Sequence, residues 1–340
     1  MLALLAAAQT APAAGSIKTF GDWAAACDNV HACEMTSLYP GDGAMPDEGS
    51  GYDGAAISIV RGAGPAGGFI VEVTIMTHQT GETSVRVDDR VIAGGAPRDD
   101  VMRFTGGDAE RIVAAMVKGK EMRITDIGDG TIGRISLSGS SAALRFIDAE
   151  QGRAGTMTAA VAKGTKPADA VPLAAALPRV PALRPSGKPA TVTKAMRAAM
   201  DKAGDCAAVY EGGEGPLPEV ETYALGGGKT LALLPCGNGA YNYSSVPFIV
   251  AGGKFDMAAF DQDPGGMGEG DSTTLVNAGW DPKTGQLSSH AKGRGVGDCG
   301  AGATYVWDGT RFRQIEAREM PECRGSANWL ATWRAEPVLR

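Results

Sequence analysis

The sequence predicts an α+β fold: an N-terminal mixed sheet with two short helices, then a mostly antiparallel β-meander with one leading helix. Three observations lead there. Glycine takes 49 of 340 residues while aromatics make up 6%, a composition of tight turns and short strands. Runs such as Phe69–Met76 alternate, with Phe69, Val71, Val73 and Ile75 on one face. In the second half one turn chemistry recurs: Leu225-Gly-Gly-Gly-Lys-Thr-Leu231, Phe248-Ile-Val-Ala-Gly-Gly-Lys-Phe255 and Tyr305-Val-Trp-Asp-Gly-Thr-Arg-Phe312, with Trp280–Gly285 a looser fourth. Gly-Gly and the Asp308-Gly309 pair supply the positive φ values that tight hairpins require.

In chain order, residues 1–14 are a short apolar run ending in small residues, with A-x-A matches at Ala6–Ala8 and Ala11–Ala13. This reads as a signal peptide over 1–15. It lacks the Lys/Arg that normally opens such a peptide, which points to a start further upstream. No other run approaches the ~18 apolar residues of a membrane-spanning helix. A mature chain from about Ser16 is expected in the periplasm or secreted.

Phe20-Gly-Asp-Trp23 leads into Cys27-Asp-Asn29 and Cys33, a tryptophan beside a small cystine loop. Strands are expected over Ala56–Arg61, Phe69–Met76, Val85–Val91, Glu121–Ile127 and Ile132–Ser138. Helices are expected from an Asp108 cap to Lys118 before Gly119, and from a Ser140 cap over Ser141–Gln151 before Gly152. Six of 19 prolines fall in 164–190, an extended connector between domains at 16–163 and 191–340. Thr191 or Thr193 caps a third helix, closed by Gly204.

The six cysteines, at 27, 33, 206, 236, 299 and 323, fit an oxidising compartment. Six allow 15 pairings. Local clustering favours 27–33, 206–236 and 299–323. C-x-x-C spacing is missing and only three histidines are present, which removes support for zinc or thiol-redox chemistry. A net charge of −7 argues against nucleic acid as a partner.

Motifs of chemistry are weak. There is no G-x-S-x-G elbow. Gly226–Thr230 ends like a phosphate loop, but its first glycine would fall on Tyr223. Gly295-x-Gly297-x-x-Gly300 encloses Cys299 and precedes a hairpin, not the helix that would hold pyrophosphate. Asp261, Asp263, Glu269 and Asp271 form a calcium candidate, although an EF-hand frame from Asp261 fails at its twelfth position, Ser272. No catalytic residue and no cofactor are expected. Tyr241, Tyr243, Trp280 and Trp329 are the candidate binding face, since Tyr and Trp serve partner or sugar recognition as well as core packing.

Phe20–Trp23, Cys27–Asn29, Cys33, Gly297-Asp-Cys-Gly300, Val306–Gly309 with Phe312, and Cys323-Arg-Gly325 with Trp329 and Trp333 resemble a proteobacterial family of exported proteins defined by a domain of unknown function. The resemblance covers nearly the whole mature chain and supplies no catalytic residue. The N-terminal half is also similar, more weakly, to the invasion-associated locus B family. It shares the F-x-D-W-x-x-x-C opening, the helix before Gly119 and Ile135–Gly139 leading into a helix. That family is exported and linked to host-cell invasion. Only the first cysteine pair lies in this half, so the invasion role does not carry over. The expectation is an exported, non-catalytic protein that binds a protein or a cell-wall glycan. The rival expectation is a hydrolase of envelope polymers, which would need converging carboxylates.

Overall fold

The computed structural model describes residues 15–41, 50–79, 81–207, 217–262, 264, 273–326 and 328–340. The expected signal peptide lies outside them except for its last residue. The chain is mostly β, with 22 strands and three α-helices among the described residues.

Where the sequence suggested one mixed sheet in the N-terminal half, the chain builds two, antiparallel in every pairing. Short turns join most neighbours, and a short turn reverses the chain. The first sheet runs β1 (Lys18–Phe20), β2 (Trp23–Cys27), β3 (Cys33–Ser37), β4 (Ala55–Arg61), β5 (Phe69–Ile75) and β8 (Val101–Thr105). The second is ordered β10 (Thr131–Ser136), β9 (Glu121–Asp126), β6 (Thr83–Val87), β7 (Arg90–Gly95). The run expected as one strand over Val85–Val91 is therefore a hairpin, turned at Asp88-Asp89 with both φ positive.

Helices α1 (Gly106–Met116) and α2 (Ser140–Glu150) pack Ile112, Val113, Met116, Leu144 and Ile147 into a core shared with both sheets. Neither starts as expected. Thr105, not Asp108, precedes α1; Asp108 lies in the first turn and pairs with Arg111. Gly139, at φ 93°, precedes α2, and its β-carbon would fall 1.7 Å from the Phe20 carbonyl oxygen. The Ser140 hydroxyl instead donates to the Met116 carbonyl (3.2 Å), linking the two helices.

The proline-rich stretch is not wholly free connector. Its β11 (Arg179–Ala182) pairs in parallel with β22 (Glu336–Leu339), the last strand. Helix α3 (Lys194–Ala203) follows, with the Thr193 hydroxyl capping the Met196 N–H (3.2 Å) as expected.

Beyond it, β12 (Glu221–Gly226), β13 (Lys229–Asn238), β14 (Tyr243–Ala251) and β15 (Lys254–Met257) form a meander, with β16 (Leu275–Val276) also on β14. A second meander contains β17 (Gly279–Asp281), β18 (Gln286–Lys292), β19 (Gly300–Trp307), β20 (Phe312–Met320) and β21 (Leu330–Arg334). All four expected hairpins are present. Gly227-Gly228 and Gly252-Gly253 are two-residue turns with both φ positive. The third differs: Trp307 pairs with Phe312, so its loop holds four residues, and Asp308 closes it by accepting from the Thr310 and Arg311 N–H groups.

Disulfides join Cys27–Cys33, Cys206–Cys236 and Cys299–Cys323, the pairing that local clustering favoured. Among the described residues no helix is long and apolar enough to cross a membrane. The disulfides are compatible with an exported protein.

Candidate binding cleft

Strand β2 explains how the two halves meet. Its Trp-Ala-Ala-Ala-Cys run is buried on both faces. Trp23 and Ala25 face the N-terminal core, with the indole N–H donating to the Ser136 carbonyl (2.9 Å). Ala24 and Ala26 face the other way and pack with Leu38 against Cys299, Met320, Trp329 and Leu330. Small side chains let β2 approach the last sheet closely.

The polar residues that carry the family resemblance fasten this junction. Arg324 donates to the Asp22 carboxylate (2.7 Å) and to the carbonyls of Gly21 (2.9 Å) and Tyr39 (2.6 Å). Asn29 exchanges hydrogen bonds with the Arg334 backbone (2.7 and 3.0 Å), while Asp28 pairs with the Arg334 guanidinium. Asp298, beside Cys299, accepts from Arg294 (2.7 Å) and from the Gly325 N–H (2.6 Å). Burial pushes the Asp298 carboxyl up, but these bonds outweigh it and hold it below the ordinary carboxylate value. Gly325, at φ 70°, lies against the Tyr39 ring, where a β-carbon would fall 2.2 Å from ring atoms. These motifs are structural fastenings.

Above the junction, one face of the last sheet opens into a cleft of about 420 Å³. Strand register places its floor. Ser288, Thr304 and Glu316 lie side by side on β18, β19 and β20, and His290, Gly302 and Arg318 form the next row. The missing side chains of Gly300 and Gly302 leave a slot that the Trp329 indole fills. A β-carbon at 300 would fall 2.7 Å from that ring, and one at 302 would fall 3.6 Å from it. The indole N–H donates to the Gly297 carbonyl (3.2 Å), and the ring stacks on His290 with centroids 4.0 Å apart and planes 3° from parallel.

Two titratable groups define the electrostatics. Partial burial of the ring, and then Lys292, push the His290 imidazole below its ordinary value of 6.5 although the residue as a whole is exposed, so the neutral form predominates at pH 7. Burial pushes Arg318 down, but Glu34 and Glu316 outweigh it and raise the guanidinium above its ordinary value. Arg318 contacts Glu34 from β3 (3.2 Å) and Glu316 (2.8 Å), and donates to the Trp329 carbonyl (2.7 Å). Glu34 also accepts from the Ala331 N–H (3.3 Å). A buried carboxylate of the N-terminal half thus positions the arginine of a cleft in the C-terminal half.

A proton NMR titration checks the imidazole: the His290 midpoint is expected below 6.5. Because the folded value lies under the unfolded one, the associated stability is complete above the ordinary imidazole value. It is lost as pH falls through that value toward the folded one. A midpoint at or above the ordinary value would contradict the burial argument.

The four aromatic residues of the expected binding face separate. Trp329 lines the cleft, though only 8% exposed. Tyr241 and Tyr243 (64% exposed) lie beside it: the Tyr241 hydroxyl donates to the Gly293 carbonyl (3.2 Å), in the loop that carries Gly297. Asn242 and Asn277 bond each other and the Lys292 and His290 carbonyls, fixing those tyrosines beside β18. Trp280 lies elsewhere, with Tyr223 against the core of the two meanders. Of the calcium candidates, Asp261 accepts from Arg313 (2.7 Å) and the Gln314 N–H (2.8 Å). Asp263, Glu269 and Asp271 lie outside the described residues.

Sequence reasoning missed His290, Thr304, Glu316, Arg318 and Glu34. The one signal available was Gly300-x-Gly302, two glycines on one face of a strand, which marks a close approach.

Fold and cleft define a disulfide-braced, mostly antiparallel α+β protein with a polar cleft on its last sheet. The chain belongs to the family described as "Protein of unknown function (DUF1176)", which matches residues 17–336. It is similar to "Uncharacterized protein YpfG" of Escherichia coli (strain K12), 30% identical over 94% of this chain and 93% of that one. Among solved structures, invasion associated protein B from Bartonella henselae aligns with 40% of this chain and 99% of its own, at 20% identity and a TM-score of 0.32.

Proposed function

We propose that this chain is an exported periplasmic or envelope protein that acts by binding, without catalysis, and that the cleft at His290, Thr304 and Arg318 is its recognition site. A protein or a cell-wall glycan is the partner class. The observation that carries this reading is the assembly of hydroxyl, amide, carboxylate and guanidinium groups around a stacked aromatic pair in one concave site.

The same groups favour binding over hydrolysis. Glu34 and Glu316 are both paired to Arg318, which suits fixed hydrogen bonding better than proton transfer. The Ser289 hydroxyl, next in sequence to His290, is engaged with the N–H (3.0 Å) and carbonyl (3.4 Å) of Val276.

Thr304→Tyr tests the site by filling the cleft from a partly exposed strand position that tolerates an aromatic ring. Retention on purified cell-wall sacculi and chemical crosslinking to envelope proteins are compared with wild type. The variant is expected to keep the wild-type melting temperature and to lose binding by roughly tenfold or more, about 1.4 kcal/mol. Undiminished binding by the folded variant would remove the cleft from this role.

A further inference from the structure

We infer that the cleft takes an uncharged, hydroxyl-rich ligand, a pyranose segment of a glycan, with the His290 ring as its flat platform. This rests on the reading of the cleft as a binding site and narrows its ligand class.

Charge is the first argument. Among the described residues Arg318 is the cation that contacts both Glu34 and Glu316, so one positive and two negative charges leave the group singly negative. Lys292, on the same strand as His290, brings the neighbourhood to about neutral. Among the groups that line the cleft, an anionic ligand would meet no cation but Arg318, which is already paired. To claim Arg318 it would have to compete with Glu316, which lines the cleft, and with Glu34, whose 7% exposed carboxylate would be stranded if it were released. A neutral polyol needs no such exchange. The free lone pairs and N–H groups of a fixed carboxylate–guanidinium pair can bond neighbouring hydroxyls with both charges left paired.

The ring pair is the second argument. Trp329 holds the imidazole plane parallel to its own, while His290 itself remains exposed and lines the cleft. Such a preorganised neutral ring presents a flat, weakly polar face, which suits the C–H face of a sugar. Ser288 and Thr304, directly opposed across β18 and β19, add hydroxyls at the floor, and Asn328 adds an amide at the wall. Beyond the loop of residues 293–297, Tyr241 and Tyr243 continue an aromatic and polar surface along which further sugar units can lie.

The test is calorimetry and NMR shift mapping on the whole chain with three probes: a short uncharged N-acetylhexosamine oligosaccharide, a carboxylated counterpart of equal length, and a wall-type stem peptide. The uncharged oligosaccharide is expected to bind, moving the His290, Thr304 and Trp329 resonances. Its affinity should change less than about twofold between roughly 50 and 500 mM salt, since no net charge is neutralised. His290→Ala, a change at an exposed ring, should weaken it about tenfold or more. Glu316→Gln, which keeps shape and hydrogen bonding, should weaken it less.

Tighter, salt-sensitive binding of the carboxylated probe would overturn the inference, as would shifts in the cleft caused by the peptide alone. Either would leave the cleft a binding site. Failure of all three probes, with retention on sacculi still abolished by Thr304→Tyr, would also overturn the sugar assignment and spare the site. Retention indifferent to Thr304→Tyr would overturn both.

Discussion

Gly300→Ala is expected to destabilise the protein by about 3–5 kcal/mol, the sum of a strained backbone and an overpacked slot. Gly300 has φ 144°, and a β-carbon there would fall 2.0 Å from the Ala291 carbonyl oxygen and 2.7 Å from the Trp329 ring. The first contact is with the neighbouring strand's backbone, so relief requires β18 and β19 to part. The second ejects the indole, and with it the stack on His290 and the bond to Gly297. Urea unfolding followed by tryptophan fluorescence measures the loss. Gly302→Ala is the control. Its β-carbon would fall 3.2 Å from the Ser289 carbonyl oxygen and 3.4 Å from the His290 Nδ1, contacts that small shifts relieve. A cost near 1 kcal/mol is expected there. Equal, small costs at the two positions would mean that Trp329 does not depend on the slot.

Local patterns carried most of the fold. The alternation of Phe69–Ile75 became a strand with alternate residues buried, and the Gly-Gly pairs became two-residue turns, because both features depend on a few adjacent residues. Cystine pairing was legible for the same reason: each bridge closes a short stretch, with separations of 6, 30 and 24 residues. What escaped depends on distant partners. Alanine-rich β2 shows no alternation, since both faces are buried, one against each half of the molecule. Strand β11 lies in a proline-rich run and exists through pairing with a strand some 150 residues later. The cleft was hardly legible. Glu34 and Arg318 meet across most of the chain, and nothing near either residue announces the other. The same residue chemistry singles out Tyr241, Tyr243, Trp280 and Trp329, yet Trp329 lines the cleft, the two tyrosines lie beside it and Trp280 packs against the core of the meanders. Residue type alone could not separate these cases, because strand register decides which face a side chain occupies.

Arg318→Met is expected to cost about 3–5 kcal/mol, because it leaves the Glu34 carboxylate buried without its cation. Glu34 would retain the Ala331 N–H, one hydrogen bond where it now has a guanidinium as well. Glu316 would lose the same partner, but at 35% side-chain exposure water can take its place. The cost therefore falls on the contact between β3 and the last sheet, where Ala24, Ala26 and Leu38 meet Met320 and Leu330. A double-mutant cycle separates the pair from its surroundings. In the Glu34→Gln and Arg318→Met double variant no buried charge is stranded. Its loss should fall short of the two single losses added together by more than about 1 kcal/mol, the coupling of groups in direct contact. Chemical denaturation of all four proteins measures this. Additive losses would show that Glu34 and Arg318 act independently, and that the N-terminal half does not position the arginine of the cleft. Coupling of the expected size would make the two halves one unit for binding: each group of the cleft lies in the C-terminal half, yet Arg318 is oriented by a carboxylate on the strand that begins at Cys33.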